Sequence, residues 1–304
     1  MVRIGIIGSM ERIRSTMNYF RTTEGIVISG VLCNDQTCEE QGGIRTANDY
    51  TQLIEWSDAI YILSCAQDQY ETSVQSFRQG KHVFLEQIST LSVDQIEQLL
   101  KSRKEANVKC IIGSQELCHP AFLAIKKQTA SPLFIVSQRN VVFDPENTKN
   151  IILELMMKDI AVVLNLAKSD IKRIWANGHK IMSEQTDVAN ARLEFSNGCV
   201  AVLAVDKNAS HTKSHLKIYT EKNILSIDFE LNRTSILHHP LNDQRILTSI
   251  DLPLEETDPF RYQLENFRDS ILTNADPLLK LREGYKKLDI AHKILKKILS
   301  SGEE

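Results

Sequence analysis

The chain has 304 residues, 42% of them hydrophobic and 25% charged, with a formal net charge of −3. That length points to two domains, and interspersed charges of both signs exclude a bulk nucleic-acid binder, which carries a basic face. No apolar run is long enough to span a bilayer, and the short apolar N-terminus reads as a strand, not a signal peptide.

In chain order, Val2–Gly8 is an apolar run ending in glycine, as expected of a buried parallel strand. A polar helix follows over about 10–20, then a strand at Ile26–Leu32. Tyr50–Trp56 reads as helix, Ala59–Leu63 as strand, Gln69–Gln79 as helix ended by Gly80, and His82–Leu85 as strand. Ser92 is an N-cap for a helix to about Glu105, and Val108–Ile112 is a fifth strand. Repeated β-α-β units predict a parallel sheet with helices on both faces.

The pattern changes near Pro120. A short helix at Ala121–Lys127 precedes an extended segment, Phe134–Val142, and a long helix over Ile151–Ala167. Strand patterns follow at Arg192–Phe195, Cys199–Val205, Ser214–Thr220 and Ile224–Phe229, with Asn197-Gly198 as a hairpin signal. Helices at Tyr262–Thr273 and Arg282–Ser300 close the chain. The expected fold is α/β: an N-terminal doubly wound parallel Rossmann sheet over residues 1–117, then a C-terminal α+β domain over 118–304 with an open, mostly antiparallel sheet. The final helices are candidates to pack back on the first domain.

The six cysteines, Cys33, Cys38, Cys65, Cys110, Cys118 and Cys199, form no CxxC pair and no zinc-ligand spacing. They read as reduced, packed thiols of a cytoplasmic protein, and no metal site is expected.

A dinucleotide site needs glycines after the first strand: one for the turn, one for close approach of pyrophosphate, one for helix packing. Here the segment is Gly8-Ser9-Met10-Glu11-Arg12-Ile13. The first glycine is present; Met10 and Ile13 hold the places of the second and third. Glu11 suits the helix dipole but repels a phosphate. Arg12 or Arg14 offsets that charge, or both are solvated helix charges. Asn34 or Asp35, after the second strand, is placed to meet an adenosine ribose or to make a turn.

Several later segments together resemble the Gfo/Idh/MocA (glucose–fructose oxidoreductase) family. Ser57–Ile62 is similar to its "DAVxIAT" strand and Gly80–Glu86 to "GKHVxxEKP". Gly113–Ala121 is similar to "GHxERFNPA", Leu153–Ile160 to "LDLMIHDI", and Phe195–Gly198 to "FxNG". The resemblance runs to about residue 295, and the last segments most resemble the branch with nucleotide-sugar 3-dehydrogenases. It implies NAD or NADP in the first domain and oxidation or reduction at a hydroxyl or carbonyl carbon of a sugar, inositol or similar polyol. It also implies a second-domain sheet that forms the substrate face and a homo-oligomer interface.

Mapped through that resemblance, the cofactor positions are Gly8, Ser9, Met10, Arg12, Asn34 and Asp35, then Ser64, Cys65, Gln69, Glu86, Gln87 and Gln115. Hydride transfer at an alcohol carbon needs a proton donor or acceptor beside the oxygen. The family's lysine is Gln87, which hydrogen-bonds a hydroxyl but cannot shuttle a proton at neutral pH. The family's aspartate and histidine are Glu154 and Lys158, whose i, i+4 spacing also suits a helix-surface ion pair. The candidate catalytic residues are therefore Lys158, Glu154 and Gln87. His119, Glu154 and Lys158 are the candidates for substrate contact, although a lone His before Pro is more often a turn or packing residue. Gly80, Glu86, Gly113, Pro120, Asp159 and Gly198 are kept, whereas Met10, Ile13, Gln69, Gln87, Leu117 and Lys158 depart where cofactor or substrate is touched. The expectation is a divergent NAD(P)-dependent oxidoreductase homologue for a sugar or nucleotide sugar, its activity lost or altered. The alternative is a non-catalytic ligand sensor or a partner subunit of a true dehydrogenase. No nucleic-acid or membrane partner is expected.

Overall fold

Val2–Gly8 forms β1, with Ile4, Ile6 and Ile7 fully buried, as a strand covered on both faces requires. The computed structural model describes residues 1–33, 43–63, 69–129, 131–144, 150–238 and 249–301. Four further strands repeat the β1 pattern: β2 (Ile26–Cys33), β3 (Ala59–Ile62), β4 (His82–Leu85) and β5 (Cys110–Ile112). All are parallel, in the order β2-β1-β3-β4-β5. The helices between them are α1 (Met10–Thr22), α2 (Tyr50–Trp56), α3 (Gln69–Arg78) and α4 (Val93–Glu105). Because β1 lies between β2 and β3, the winding reverses there, and right-handed crossovers put helices on both faces. The carboxyl end of β1, at Gly8, is thus the switch point.

The chain divides into two compact units, Met1–Gln115 with Pro259–Lys286, and Glu116–Asp258 with Lys287–Glu304. Within the first unit, α7 (Pro259–Leu272) completes an aromatic core. Phe267 packs edge-on against Phe84 with ring centroids 5.5 Å apart, and Phe260 meets Tyr61 at 5.9 Å and Phe20 at 6.0 Å. Each fully buried ring of this kind contributes about 1.5–3 kcal/mol. Local signals agree with the packing: Ser92 and Gln95 form a reciprocal capping box at the start of α4, and Gly80 takes φ +67° after α3.

The second unit begins with a 3₁₀ turn at Glu116–Cys118 and α5 (Pro120–Gln128), then β6 (Phe134–Val142). The helix expected over Ile151–Ala167 is in fact a π-helical segment, Ile152–Met156, continued by α6 (Met157–Ala167). After it come β7 (Ile171–His179), β8 (Val188–Phe195), β9 (Val200–Ala209), β10 (Lys213–Tyr219), β11 (Asn223–Asp228), β12 (Arg233–His238) and β13 (Ser249–Asp251). They form one eight-stranded sheet, β13-β12-β11-β10-β6-β9-β8-β7, antiparallel except where β6 pairs with β9. The final helix, α8 (Leu281–Ser301), runs from the last part of the first unit into the second.

One face of this sheet carries Ile135, Ala201, Leu203, Val205, Leu216 and Ile218, all buried. The residues that alternate with them, such as Val136, Val202 and Lys217, are half-buried or exposed. The hairpin at Asn197-Gly198 has a positive φ only at Gly198, +87°. It is therefore a type I turn closed by a glycine bulge and not the two-residue I′ form. Asn197 is kept busy by its surroundings: its side-chain amide donates to the Ala167 carbonyl at the end of α6, and its oxygen accepts from the Cys199 amide.

The cysteine reading needs one correction. Cys110, Cys118 and Cys199 are free and buried as expected, but Cys33 is in a disulfide. It stands at the last position of β2. Cys38 and Cys65 lie outside the described residues.

Candidate functional site

In the first unit the phosphate-loop positions surround the start of α1. Gly8 is needed for packing, since a Cβ there would meet Leu63 Cδ1 at 2.6 Å. The Ser9 side chain accepts from the Arg12 amide and caps the helix. Met10 is half-buried in the first turn, and Ile13 is 1% exposed, so the third glycine place is filled by core packing. The Arg12 guanidinium reaches across to the Glu86 carboxylate at 2.5 Å. Glu86 is itself buried just past β4. Arg12 Nε is buried without a hydrogen-bond partner among the described residues.

Gln69, at the start of α3, is buried; its amide donates to the Leu63 carbonyl and its oxygen accepts from Thr90. Gln87 is half-buried beside Glu86, and Gln115 is exposed. Gly113 allows two backbones to touch: a Cβ there would stand 2.6 Å from the Glu86 carbonyl oxygen. Asn34, Asp35, Ser64 and Cys65 lie outside the described residues.

In the second unit a chain of alternating charges is assembled from the 3₁₀ turn, β6 and α6. Arg139 stands on the buried face of β6, in phase with Ile135 and Ser137. Its guanidinium grips Asp159 on α6 with two hydrogen bonds, 2.9 and 3.2 Å. Its remaining nitrogen lies 3.7 Å from Glu116, and Glu116 in turn lies 3.8 Å from Lys158. Side-chain exposure is 3% at Asp159, 9% at Arg139, 12% at Glu116 and 40% at Lys158. The series thus runs from a buried end to one open ammonium. Burial pushes the Glu116 carboxyl up, but Arg139 and Lys158 outweigh that and hold it below the usual carboxylate range.

Glu154 is half-buried within the π segment, which begins where the Asn150 side chain accepts from the amides of Ile152 and Leu153. The i, i+4 step from Glu154 to Lys158 therefore crosses from π to α winding, and the ion pair that Lys158 makes is with Glu116. Single π turns inside helices recur at functional sites. His119 is the N-cap of α5: Nδ1 accepts from the Ala121 amide, and the ring stands edge-on to Phe229 at 5.2 Å. Burial lowers its pKa, against the opposing pull of Glu116 and Glu230.

Sequence reasoning singled out Lys158 as a candidate and Asp159 only as a kept family residue, and it gave no role to Glu116 or Arg139. One signal for Arg139 was available, because a charged residue in the apolar phase of a strand demands a buried partner. Asp159, within the apolar run of α6, carries the matching demand. Among the described residues no cluster of three or more His, Cys, Asp or Glu is arranged to hold a metal. No helix among them is long and apolar enough to cross a membrane.

A parallel five-stranded sheet with its switch point at a glycine-ended strand is the architecture of a Rossmann unit. Residues 2–114 match the model of the Gfo/Idh/MocA oxidoreductase family, described as having an NAD-binding Rossmann fold. A UDP-N-acetylglucosamine 3-dehydrogenase of Acidithiobacillus ferrooxidans is 24% identical over 184 residues, 60% of this chain and 58% of the relative's length. The sequence match thus spans little more than half of that curated relative. A crystal structure of a UDP-N-acetylglucosamine 3-dehydrogenase from the same organism superposes with TM-score 0.88 at 20% identity, covering 98% of this chain and 97% of the other. A dehydrogenase from Clostridium difficile (TM-score 0.84, 17% identity, 98% and 99% covered) and an NAD-binding protein from Listeria innocua (0.84, 17%, 99% and 95%) share the fold.

Proposed function

We propose that this protein is a divergent oxidoreductase for a sugar or nucleotide sugar, with NAD or NADP as cofactor and its proton handling altered by residue replacement. The observation that carries this reading is the open ammonium of Lys158, backed by three less exposed charges, at the place of the family's histidine. Gln87 binds a hydroxyl but moves no proton. Lys158 would donate to the ligand oxygen that changes charge, and Glu154, four residues earlier, would accept from a neighbouring hydroxyl. The nucleotide-sugar class is supported by the likeness to a UDP-N-acetylglucosamine 3-dehydrogenase.

The first unit offers groups that suit a dinucleotide. They are the N-terminus of α1, the Ser9 hydroxyl, and Arg12, whose Nε has no hydrogen-bond partner among the described residues. A nicotinamide bound there would supply or take up the hydride. Met10 takes the place of bare backbone, so the diphosphate is expected to bind less tightly than in a relative with all three glycines.

Calorimetry with NAD(H) and NADP(H) tests the reading. It expects binding tighter than about 0.1 mM and turnover of UDP-N-acetylglucosamine that Lys158→Ala abolishes. Absence of binding by all four nucleotides overturns it. A second reading, a ligand sensor or partner subunit without hydride transfer, is favoured by the Ser9 cap and the Arg12–Glu86 pair, which already engage groups a diphosphate would use. Sugar binding without nicotinamide binding would select it. The half-exposed face of the eight-stranded sheet is proposed as a homo-oligomer contact, which light scattering after size exclusion tests; a monomer at micromolar concentration overturns it. A cytoplasmic location is likewise proposed, and fractionation checks it.

A further inference from the structure

We infer that Glu116 is the positioning residue for Lys158, and that Arg139 and Asp159 exist in this arrangement to hold Glu116 in place. The inference rests on the reading that the second unit takes the sugar, and it adds the residues that aim the ammonium. A lysine side chain has four rotatable bonds, so a bare ammonium on a helix samples many positions. Useful contact with one ligand oxygen requires that freedom to be removed beforehand.

The geometry removes it in three steps. Asp159 and Arg139 are locked together by two hydrogen bonds and are nearly inaccessible. Arg139 turns its remaining nitrogen toward Glu116, whose carboxylate is therefore restrained from behind. Glu116 faces Lys158, the only member of the four with substantial exposure. The order of exposure is what a positioning relay requires: the orienting groups are dry and the working group is open. A relay that served stability alone would end at the Arg139–Asp159 pair, which already satisfies both buried charges. Glu116 adds a further carboxylate at a desolvation cost, and its facing partner is the ammonium at the family's catalytic place.

Amine acylation of the folded full-length chain with an acetyl ester, read residue by residue by mass spectrometry, tests the hold without any ligand. In Glu116→Gln, labelling of Lys158 should rise about threefold, the scale of a partly exposed ion pair, while Lys101, which is 70% exposed and pairs elsewhere, is unchanged. Glu116→Asp, which keeps the carboxylate, should fall closer to the wild type than the glutamine variant. Thermal melting checks that each variant is folded. Equal labelling of Lys158 in the wild type and in a folded Glu116→Gln protein overturns the inference.

Calorimetric titration with UDP-N-acetylglucosamine tests the consequence. Glu116→Gln and Lys158→Ala should both weaken binding, glutamine less than alanine. If Lys158→Ala weakens binding and Glu116→Gln does not, Glu116 has no positioning role. If the wild type does not bind this sugar nucleotide at millimolar concentration, the substrate reading fails, while the labelling result still decides whether Glu116 restrains Lys158.

Discussion

The guanidinium of Arg139 holds Asp159 at 2.9 Å with one nitrogen and stands 3.7 Å from Glu116 with another, so one buried cation serves two carboxylates. Removing it leaves both acids without their main counter-charge. Arg139→Met is expected to lose about 3–5 kcal/mol of stability, seen as a lower midpoint in urea with an unchanged slope. A loss below about 1 kcal/mol would mean that the surroundings repack or admit water around the two acids.

Asp187 makes a second buried charge centre in the same unit. Its carboxylate accepts from the amides of Ile181, Met182 and Ser183 and from the Ser183 hydroxyl, and pairs with Lys207 at 3.0 Å. Burial raises its pKa, but the hydroxyl and the three amides outweigh that and depress it strongly. A depressed carboxyl pKa means that the ionised form stabilises the fold. That contribution is complete above the ordinary aspartate value of about 3.9 and fades as pH falls toward the lower folded value. Asp187→Asn should be less stable at pH 7 by about 3 kcal/mol, with a flatter loss below pH ~4 than the wild type. Parallel slopes in the two proteins would contradict this.

Burial pushes the thiols of Cys110 and Cys118 up to about 12 and that of Cys199 up to about 11. Only the thiolate reacts quickly with disulfide reagents. Ellman titration of the native protein at pH 8 should therefore leave all three unmodified until denaturant is added. Rapid native labelling of Cys110 would show that β5 opens on the timescale of the assay.

Met10→Gly restores bare backbone at the second glycine place, next to the Ser9 cap. Affinity for NADH should rise about tenfold, a gain of 1.4 kcal/mol, measured by quenching of nicotinamide fluorescence. No gain would show that the Met10 side chain is not what limits diphosphate approach.

Much of the fold was legible because the Rossmann strands are short apolar runs punctuated by glycines. The assignments at Val2–Gly8, Tyr50–Trp56, His82–Leu85 and Phe134–Val142 agree with the structure to the residue. The strands missed were those at or near the sheet edges. β7 carries Lys172 and Arg173, β12 begins with Arg233, and β13 has three exposed residues, so none shows a clean apolar alternation. The π segment was invisible because Ile152–Met156 has ordinary helix composition, and the extra residue per turn is set by packing. Lys158 became a candidate through the family motif alone. Its partner Glu116 sits 42 positions earlier in a 3₁₀ turn, and no local periodicity links the two.

The aromatic cluster around Tyr61 and Phe84 has a consequence for how the polypeptide is made. Phe260 and Phe267 complete that cluster, yet they are synthesised after the whole intervening segment that builds most of the second unit. The nascent N-terminal portion must therefore leave the ribosome with an unfilled seam of rings and wait for its lid. A fragment ending at residue 117 would expose that seam permanently and should precipitate, whereas adding the 259–286 stretch as a separate peptide should return it to solution.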